Sequence, residues 1–284
     1  MEPGINSTRE EKLNYLKKAL YKASGNRFIQ SALEKYVLGS LYLMGIGSGG
    51  EVFTSGEQAI FDLLKQRIKP PYCIFDVGSN KGQFLQMIID NMGADEYSIH
   101  CFEPGRAPFK TLFESFKNNP RLILNNLAIG KSSGEGVLYY NAVGSGLASL
   151  TKRKLDHYAI EFNESETVQI TTLDSYCSKL GINHIHLLKI DIEGHELDAL
   201  KGANEMLHDN SIDIITFEFG GCNIDTRSYF REYWYLFKGL KMRLFRITPS
   251  GYLYPIKKYR EIYEQFRTTN FIAFNNDYPN NPPY

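Results

Sequence analysis

One segment constrains this chain more than any other. Residues 73–77 form a short apolar run that ends near an acid and breaks at once into a glycine turn, Phe75-Asp-Val-Gly-Ser-Asn-Lys-Gly82, before a stretch of helical periodicity over residues 83–91. A strand that passes through a tight turn into a helix is the first half of a strand–helix–strand unit. The pattern then repeats. Residues 97–103 and 122–126 read as strands, with a helix over 108–118 between them. Residues 136–177 interrupt the alternation, which resumes with a strand at 185–191, a helix at 195–208 and a strand at 212–219. An aromatic-rich helix at 228–238 and strands at 242–247 and 271–275 follow. Alternating strands and helices close as a mostly parallel sheet with helices on both faces, so the expected fold is a doubly wound α/β domain.

Length bounds the organisation. At 284 residues and 43% hydrophobic, the chain suits one large domain with extra helices. The expected division is a helical extension over 1–70, the α/β domain over 71–276 and a loose Asn/Pro-rich tail over 277–284. In the extension, Leu13, Leu16, Ala19 and Leu20 recur at helical spacing, and a second helix over 28–43 follows Gly25-Asn26. Ser55 reads as the N-cap of a helix over 56–67, with Gln58 completing a capping box, and Pro70-Pro71 ends it. The longest apolar stretch, 36–46, is too short to span a bilayer and reads as a buried helix.

The 32 basic and 32 acidic residues balance, which gives no ground for nucleic acid or an anionic membrane as the main partner. Cys73, Cys101, Cys177 and Cys222 form no C-x-x-C pair, so zinc-ribbon and thioredoxin-type readings fail and buried free thiols are expected. No apolar leader segment is visible at the N-terminus, which points to the cytoplasm and gives the glycosylation-like sequons at Asn6 and Asn163 little weight.

The first glycine turn lies where doubly wound sheets bind ligands, beyond the carboxyl end of the first strand. Gly78 and Gly82 would let the backbone approach a ligand closely. The dinucleotide spacing G-x-G-x-x-G fails at Asn80, and a Walker loop fails because Lys81 is followed by Gly82. Glu103 ends the second strand and can accept hydrogen bonds from both hydroxyls of a ribose, as in NAD and S-adenosylmethionine sites. Asp76 separates the two: an acid there suits an ammonium and a sulfonium and repels a pyrophosphate.

With the blocks further along, the chain resembles the FkbM-type methyltransferase family. The resemblance covers residues 73–219. It rests on the glycine turn, Cys101-Phe-Glu-Pro104, Asn126-Leu-Ala-Ile-Gly130, Thr172-Leu-Asp174, Leu188-Lys-Ile-Asp-Ile-Glu-Gly-His-Glu196 and Leu200-Lys-Gly-Ala203, in that order. It implies a class I methyltransferase sheet of seven strands with the last antiparallel. It implies that Gly78, Ser79, Asn80 and Gly82 line the methionine end of S-adenosylmethionine, that Glu103 holds the ribose, and that Asn126 and Ala128 lie near the adenine. The implied acceptor is a hydroxyl on a sugar, glycan or natural product. The N-terminal helices and residues after 225 match the family less clearly, so they are expected to shape the acceptor pocket.

Asp191, Glu193 and Glu218 end the strands beside the first one and crowd its carboxyl edge, with His195 close by. Methyl transfer to a weakly acidic hydroxyl needs a base, and Asp191 or His195 is the expected one. The rival is a magnesium or manganese ion on Asp191, Glu193 and Glu218. It is the less favoured, because Glu193 also suits a cap or first-turn place on the next helix. His195 has a competing reading as a solvated first-turn residue. His184 and His186, on the opposite edge, read as structural.

Residues 144–149 look like a loop that closes on the acceptor, and Lys152-Arg-Lys154 like a solvated charge run. Tyr229, Tyr233, Trp234 and Tyr235 read as core before sugar-stacking residues. The competing classes are a nicotinamide-dependent oxidoreductase, disfavoured by Asp76 and Asn80, and a non-catalytic cofactor-binding module, disfavoured by Asp191 and Glu218.

Overall fold

The computed structural model describes residues 5–50 and 54–275, with side chains from residue 11 onward. The expected tail at 277–284 lies outside the described residues. The chain divides into two compact units, Met1–Met44 and Gly45–Tyr284.

The first unit is a pair of helices, α1 (Ile5–Ser24) and α2 (Arg27–Leu43). They break at Gly25-Asn26. Asn26 caps α2 by accepting a hydrogen bond from the Ile29 amide at 3.1 Å, which satisfies a first-turn donor. No residue of α2 is buried, so the apolar stretch at 36–46 does not become the buried helix expected of it. Periodicity reports that a helix has an apolar face and not what covers it.

The second unit opens with α3 (Gln58–Arg67), then β1 (Tyr72–Val77), α4 (Gln83–Met92), β2 (Tyr97–Phe102), α5 (Arg106–Phe116) and β3 (Leu122–Asn125). The interruption read from the sequence is a small sheet of β4 (Ala128–Ile129), β5 (Gly134–Tyr140) and β6 (Glu164–Thr171), ordered β4-β6-β5. Then come α6 (Leu173–Leu180), β7 (Ile185–Ile190), α7 (Glu196–Lys201), α8 (Asn204–His208), β8 (Ile212–Phe219), α9 (Cys222–Thr226), α10 (Phe230–Gly239), β9 (Met242–Ile247), β10 (Leu253–Pro255) and β11 (Thr269–Asn275).

The main sheet runs β10-β9-β11-β8-β7-β1-β2-β3. β3, β2, β1, β7 and β8 are parallel, and β11 runs antiparallel between β8 and β9. The sheet has eight strands where the resemblance implies seven. The extra one, β10, is three residues ending in Pro255, paired antiparallel to β9 at the sheet edge. A strand that short, carrying a proline that only an edge tolerates, leaves no alternation to read.

Period-two alternation fills both faces. Ile74, Ile99, Leu187 and Ile214 are buried on one side with α3 and α4, and Phe75, Val77, Leu188 and Phe217 on the other with α6, α7 and α10. Each fully buried side chain of this size contributes about 1.5–3 kcal/mol. α3, grouped with the extension in the sequence, gives this core Ile60, Phe61, Leu63 and Leu64. The Ser55 cap does not form. α3 starts at Gln58, and the Ser55 hydroxyl donates instead to Glu57 Oε2 at 2.7 Å. Tyr233 is fully buried and stacks on Phe217 at 4.7 Å, a core residue.

From β1 the chain builds outward to β2 and β3 in one direction and, after returning, from β7 to β8 in the other. The crevice between the carboxyl ends of β1 and β7 is the topological switch point.

Candidate active site

A cavity of about 550 Å³ opens at that switch point. Its walls come from the turn after β1, the end of β2, the β3–β4 connection, residues 144–150, and the ends of β7 and β8.

The turn after β1 is built by backbone constraints. Gly78 has φ +86°, and a Cβ there would stand 1.8 Å from the Asp191 carbonyl oxygen. The glycine is therefore required by the approach of the chain leaving β7. The Gly78 and Ser79 amides both donate to the Phe102 carbonyl, at 2.9 and 3.0 Å. Gly82, φ +96°, precedes α4, and a Cβ there would meet the Phe116 ring at 2.5 Å. Its role is packing against α5.

Asn80 has φ +48°, its amide donates to Glu103 Oε2 at 2.9 Å, and its own Oδ1 is buried without a hydrogen-bond partner. Glu103 Oε1 accepts from the Gly105 amide at 2.8 Å. Burial pushes the Glu103 carboxyl up to about 7, against the pull of those two amides. Asn126 Nδ2 donates to the carbonyls of Glu103 and Pro104, at 2.8 and 2.9 Å, and so pins the loop after β2. Of the cofactor residues expected from the sequence, Gly78, Ser79, Asn80, Glu103 and Ala128 line the cavity. Asp76, Gly82 and Asn126 do not line it.

Asp76 is fully buried, and neither oxygen has a hydrogen-bond partner; the Lys189 ammonium lies 3.4 Å away. Lys189 also lies 3.5 Å from Asp191 Oδ2 and donates to the Gly78 carbonyl at 3.3 Å. Burial alone would lower its pKa, but Asp76, Asp191 and Glu57 outweigh burial and hold it above the ordinary lysine value. Sequence reasoning gave Lys189 no role. The signal was there: a lysine inside the apolar strand Leu187–Ile190 is buried and needs acids around it. Glu57 was missed as well. It lines the cavity, and burial raises it to about 7 despite the Ser55 hydroxyl.

The expected catalytic residues Asp191, His195 and Glu218 all line this cavity. The Glu218 carboxyl makes no side-chain hydrogen bond among the described residues. Burial, reinforced by Asp191 and Glu193, holds it well above the usual carboxylate range. Glu193 is not a cap. It sits in the left-handed region at φ +53°, and its carboxylate is hydrogen-bonded by Arg153. Burial pushes it up to about 8 against that guanidinium.

The turn-holding role belongs to Glu196, which the sequence reading passed over. Fully buried, it accepts from the amides of Ile192 and Gly194 at 3.0 and 3.1 Å, and burial raises it to about 7. Arg153, expected in a solvated run, is only 8% exposed. It joins Glu193 and lies 3.7 Å from Asp225. Residues 144–149 do border the cavity, and the Ser149 hydroxyl donates to the Glu193 carbonyl at 2.8 Å.

His195 is not a solvated residue. Its Nδ1 meets Asp198 Oδ2 at 3.1 Å and its Nε2 meets the Thr151 hydroxyl at 3.0 Å. Asp198 is held below the ordinary aspartate value by the bond from His195. An ionised Asp198 accepts the Nδ1 proton, which leaves Nε2 as the acceptor of the pair with Thr151.

Among the described residues, one group of three His, Cys or acidic side chains brings its donor atoms within 4.8 Å of each other, and it is His184, His186 and Asp213. Asp191, Glu193 and Glu218 do not form such a group. The His184 trio lies at the amino edge of the sheet and is internally paired. His184 Nε2 meets Asp213 at 2.8 Å, and His186 Nδ1 accepts the Cys73 amide at 2.9 Å. That bond leaves the proton of a neutral His186 on Nε2, the wrong tautomer for a metal ligand.

The sheet order, with its antiparallel β11 and its cavity at the switch point, is the class I methyltransferase architecture. The profile of the methyltransferase FkbM domain matches residues 76–244, and the chain belongs to that family. It is 28% identical over 153 residues to the 2-O-methyltransferase NoeI of Sinorhizobium fredii, a match covering 49% of this chain and 60% of that one. It is 26% identical over 165 residues to the hexuronic acid methyltransferase AglP of Haloferax volcanii, covering 58% and 64%. The chain thus spans under two thirds of the length of either relative. The solved FkbM methyltransferase from Methylobacillus flagellatus aligns with 84% of this chain and 60% of its own, at 12% identity and a TM-score of 0.42.

Proposed function

We propose that this protein is an S-adenosylmethionine-dependent O-methyltransferase acting on a hydroxyl of a sugar or glycan. The observation that carries this is the surplus of acid around one cavity. Glu57, Glu103, Asp191, Glu193 and Glu218 all line it, while Arg153 is committed to Glu193 and Lys189 is shared by Asp76 and Asp191. Glu57 and Glu103 are buried and Asp191 is 42% exposed; gathering these acids at one edge, with the exposed Lys81 as a further cation in the lining, favours entry of a cationic ligand. The orphan Asn80 Oδ1 is what a hydrogen-bonding ligand would satisfy, and the Glu218 carboxyl, crowded by Asp191 and Glu193, is what a cation would. A pyrophosphate in the same place would be repelled.

S-adenosylmethionine, when bound, supplies a methyl group already activated on a sulfonium carbon. The turn at Gly78–Asn80 would hold its methionine end, Glu103 its ribose, and Leu127 and Ala128 its adenine. Asp191 and Glu218 would then face its positive charge. Proton removal falls to His195: an acceptor hydroxyl in the place of Thr151 gives its proton to Nε2, and Asp198 at Nδ1 fixes the tautomer and stabilises the imidazolium. This arrangement needs no divalent ion. Leu138, Leu147 and Leu150 give the cavity an apolar wall that keeps water from competing with the acceptor. The names of the two relatives, a 2-O-methyltransferase and a hexuronic acid methyltransferase, support a sugar as the acceptor.

The test is transfer of labelled methyl from S-adenosylmethionine into a panel of neutral and uronic-acid sugars and oligosaccharides, with and without EDTA. Label in a sugar fraction, unchanged by EDTA, is expected. Loss of transfer with EDTA would move the chemistry to a metal. Thermal stabilisation by NADH and not by S-adenosylhomocysteine would reject the cofactor assignment.

A further inference from the structure

We propose that the helix pair of the first unit is a docking element for an anionic lipid surface. The whole-chain charge balance conceals a strong local asymmetry. Residues 5–44 hold seven basic residues against Glu10, Glu11 and Glu34, a net charge of +4 in a chain whose total is zero. The same helices expose their apolar residues. Phe28 is 86% exposed, Leu43 78% and Tyr36 75%.

The two properties are arranged on faces. At 3.6 residues per turn, Leu13, Leu16 and Leu20 fall within about 60° of one another on α1, with Lys12 and Lys17 about 40° outside that stripe on either side. Lys18 and Lys22 lie on the opposite side. On α2, Ile29, Leu33, Tyr36 and Leu43 fall within about 80°. All of these residues are exposed.

An apolar stripe flanked by lysines is what an interfacial helix presents. The stripe enters the acyl boundary, and the flanking lysines reach back to the headgroups along their own apolar stems. Exposed Tyr36, within the α2 stripe, and Tyr21, about 80° from the edge of the α1 stripe beyond Lys17, add the ring type that sits at headgroup level. No described helix is long and apolar enough to cross a membrane, so the mode is lying on a surface. Charge selects the occupant. A second copy of the pair would bring +4 against +4, whereas an anionic bilayer attracts each lysine.

The experiment is co-sedimentation of the full chain with phosphatidylglycerol–phosphatidylcholine vesicles and with phosphatidylcholine vesicles alone, beside its sedimentation in solution. Binding to the anionic vesicles only, weakened by salt, is expected. Replacing Lys12 and Lys17 with glutamine lowers partitioning roughly thirtyfold. The pair Leu16→Ser and Leu20→Ser lowers it comparably while α-helical circular dichroism is kept, which separates insertion from charge attraction alone. Three results would overturn the proposal: no binding of the unaltered chain, equal binding to both vesicle types, or a stable dimer that the leucine substitutions dissociate.

Discussion

β7 and β8 carry clusters of ionisable groups at both ends, and the two clusters are opposites. At the amino edge His184, His186 and Asp213 satisfy one another and the Cys73 amide. At the carboxyl edge Asp191, Glu193 and Glu218 are crowded with Glu57 and Glu196, and burial drives most of these carboxyls towards neutrality. Both ends belong to the same pair of strands, so their pairing with each other does not explain why one end is satisfied and the other is not. A protein keeps unpaired buried carboxyls where something else is to pair with them.

The sharpest way to break this contrast is at His195. His195→Ala should lower kcat about a thousandfold while leaving S-adenosylhomocysteine affinity nearly unchanged by calorimetry. If Asp191→Asn causes the larger loss in kcat, the base is Asp191. Next in size, Gly78→Ala should cost about 3 kcal/mol or more in denaturant unfolding, because it combines a left-handed backbone with a collision against the Asp191 carbonyl. A variant of unaltered stability would show that β7 can move away from the turn.

The pH dependence separates the two edges directly. Glu57, Glu103 and Glu196 are raised from the ordinary 4.5 to about 7 in the folded state. The folded protein therefore binds more protons than the unfolded chain in that window, and stability is lost as pH climbs through it. Thermal unfolding of the ligand-free protein should show a falling midpoint from about 4.5 to about 7. Glu218→Gln should lessen that fall, because burial with Asp191 and Glu193 holds the Glu218 carboxyl well above its ordinary value in the folded state. A midpoint that rises with pH would mean that these carboxyls are already compensated.

The same charge should distinguish two ligands. Affinity for S-adenosylmethionine should increase by up to about tenfold per pH unit in that window, and affinity for the uncharged thioether of S-adenosylhomocysteine should increase less. Parallel slopes would remove the sulfonium from the account. The smallest effect belongs to the amino edge. Asp213→Asn should cost about 1 kcal/mol and leave transfer unchanged; a loss of activity there would erase the contrast altogether.

Much of this was legible in the sequence, for a physical reason. Strand–turn–helix units are local, so the alternation from 73 to 126 and from 185 to 219 places the sheet, and the acids that end those strands arrive together at one edge. What was not legible depends on partners distant in sequence. Arg153 reads as part of a surface run because its acids, Glu193 and Asp225, lie far along the chain. Gly82 and Asn126 read as ligand contacts because the glycine turn and the third strand end are where such contacts fall, yet they serve Phe116 and the loop after β2. Glu196 was hidden by its neighbour: in Glu193-Gly-His-Glu196 either acid could have held the turn, and only the left-handed backbone at Glu193 and Gly194 decides which one points inward.

The contact at Gly78 also sets a manufacturing tolerance for the site. One hydrogen atom is all that separates the turn that would hold the methyl donor from the backbone of the residue that faces it. Donor side and acid side are thereby located by a single mechanical stop, with no side chain between them to compress or rotate. Loops around the cavity can lengthen, shorten or change charge to suit another acceptor without altering that spacing, because the stop belongs to the sheet and not to them.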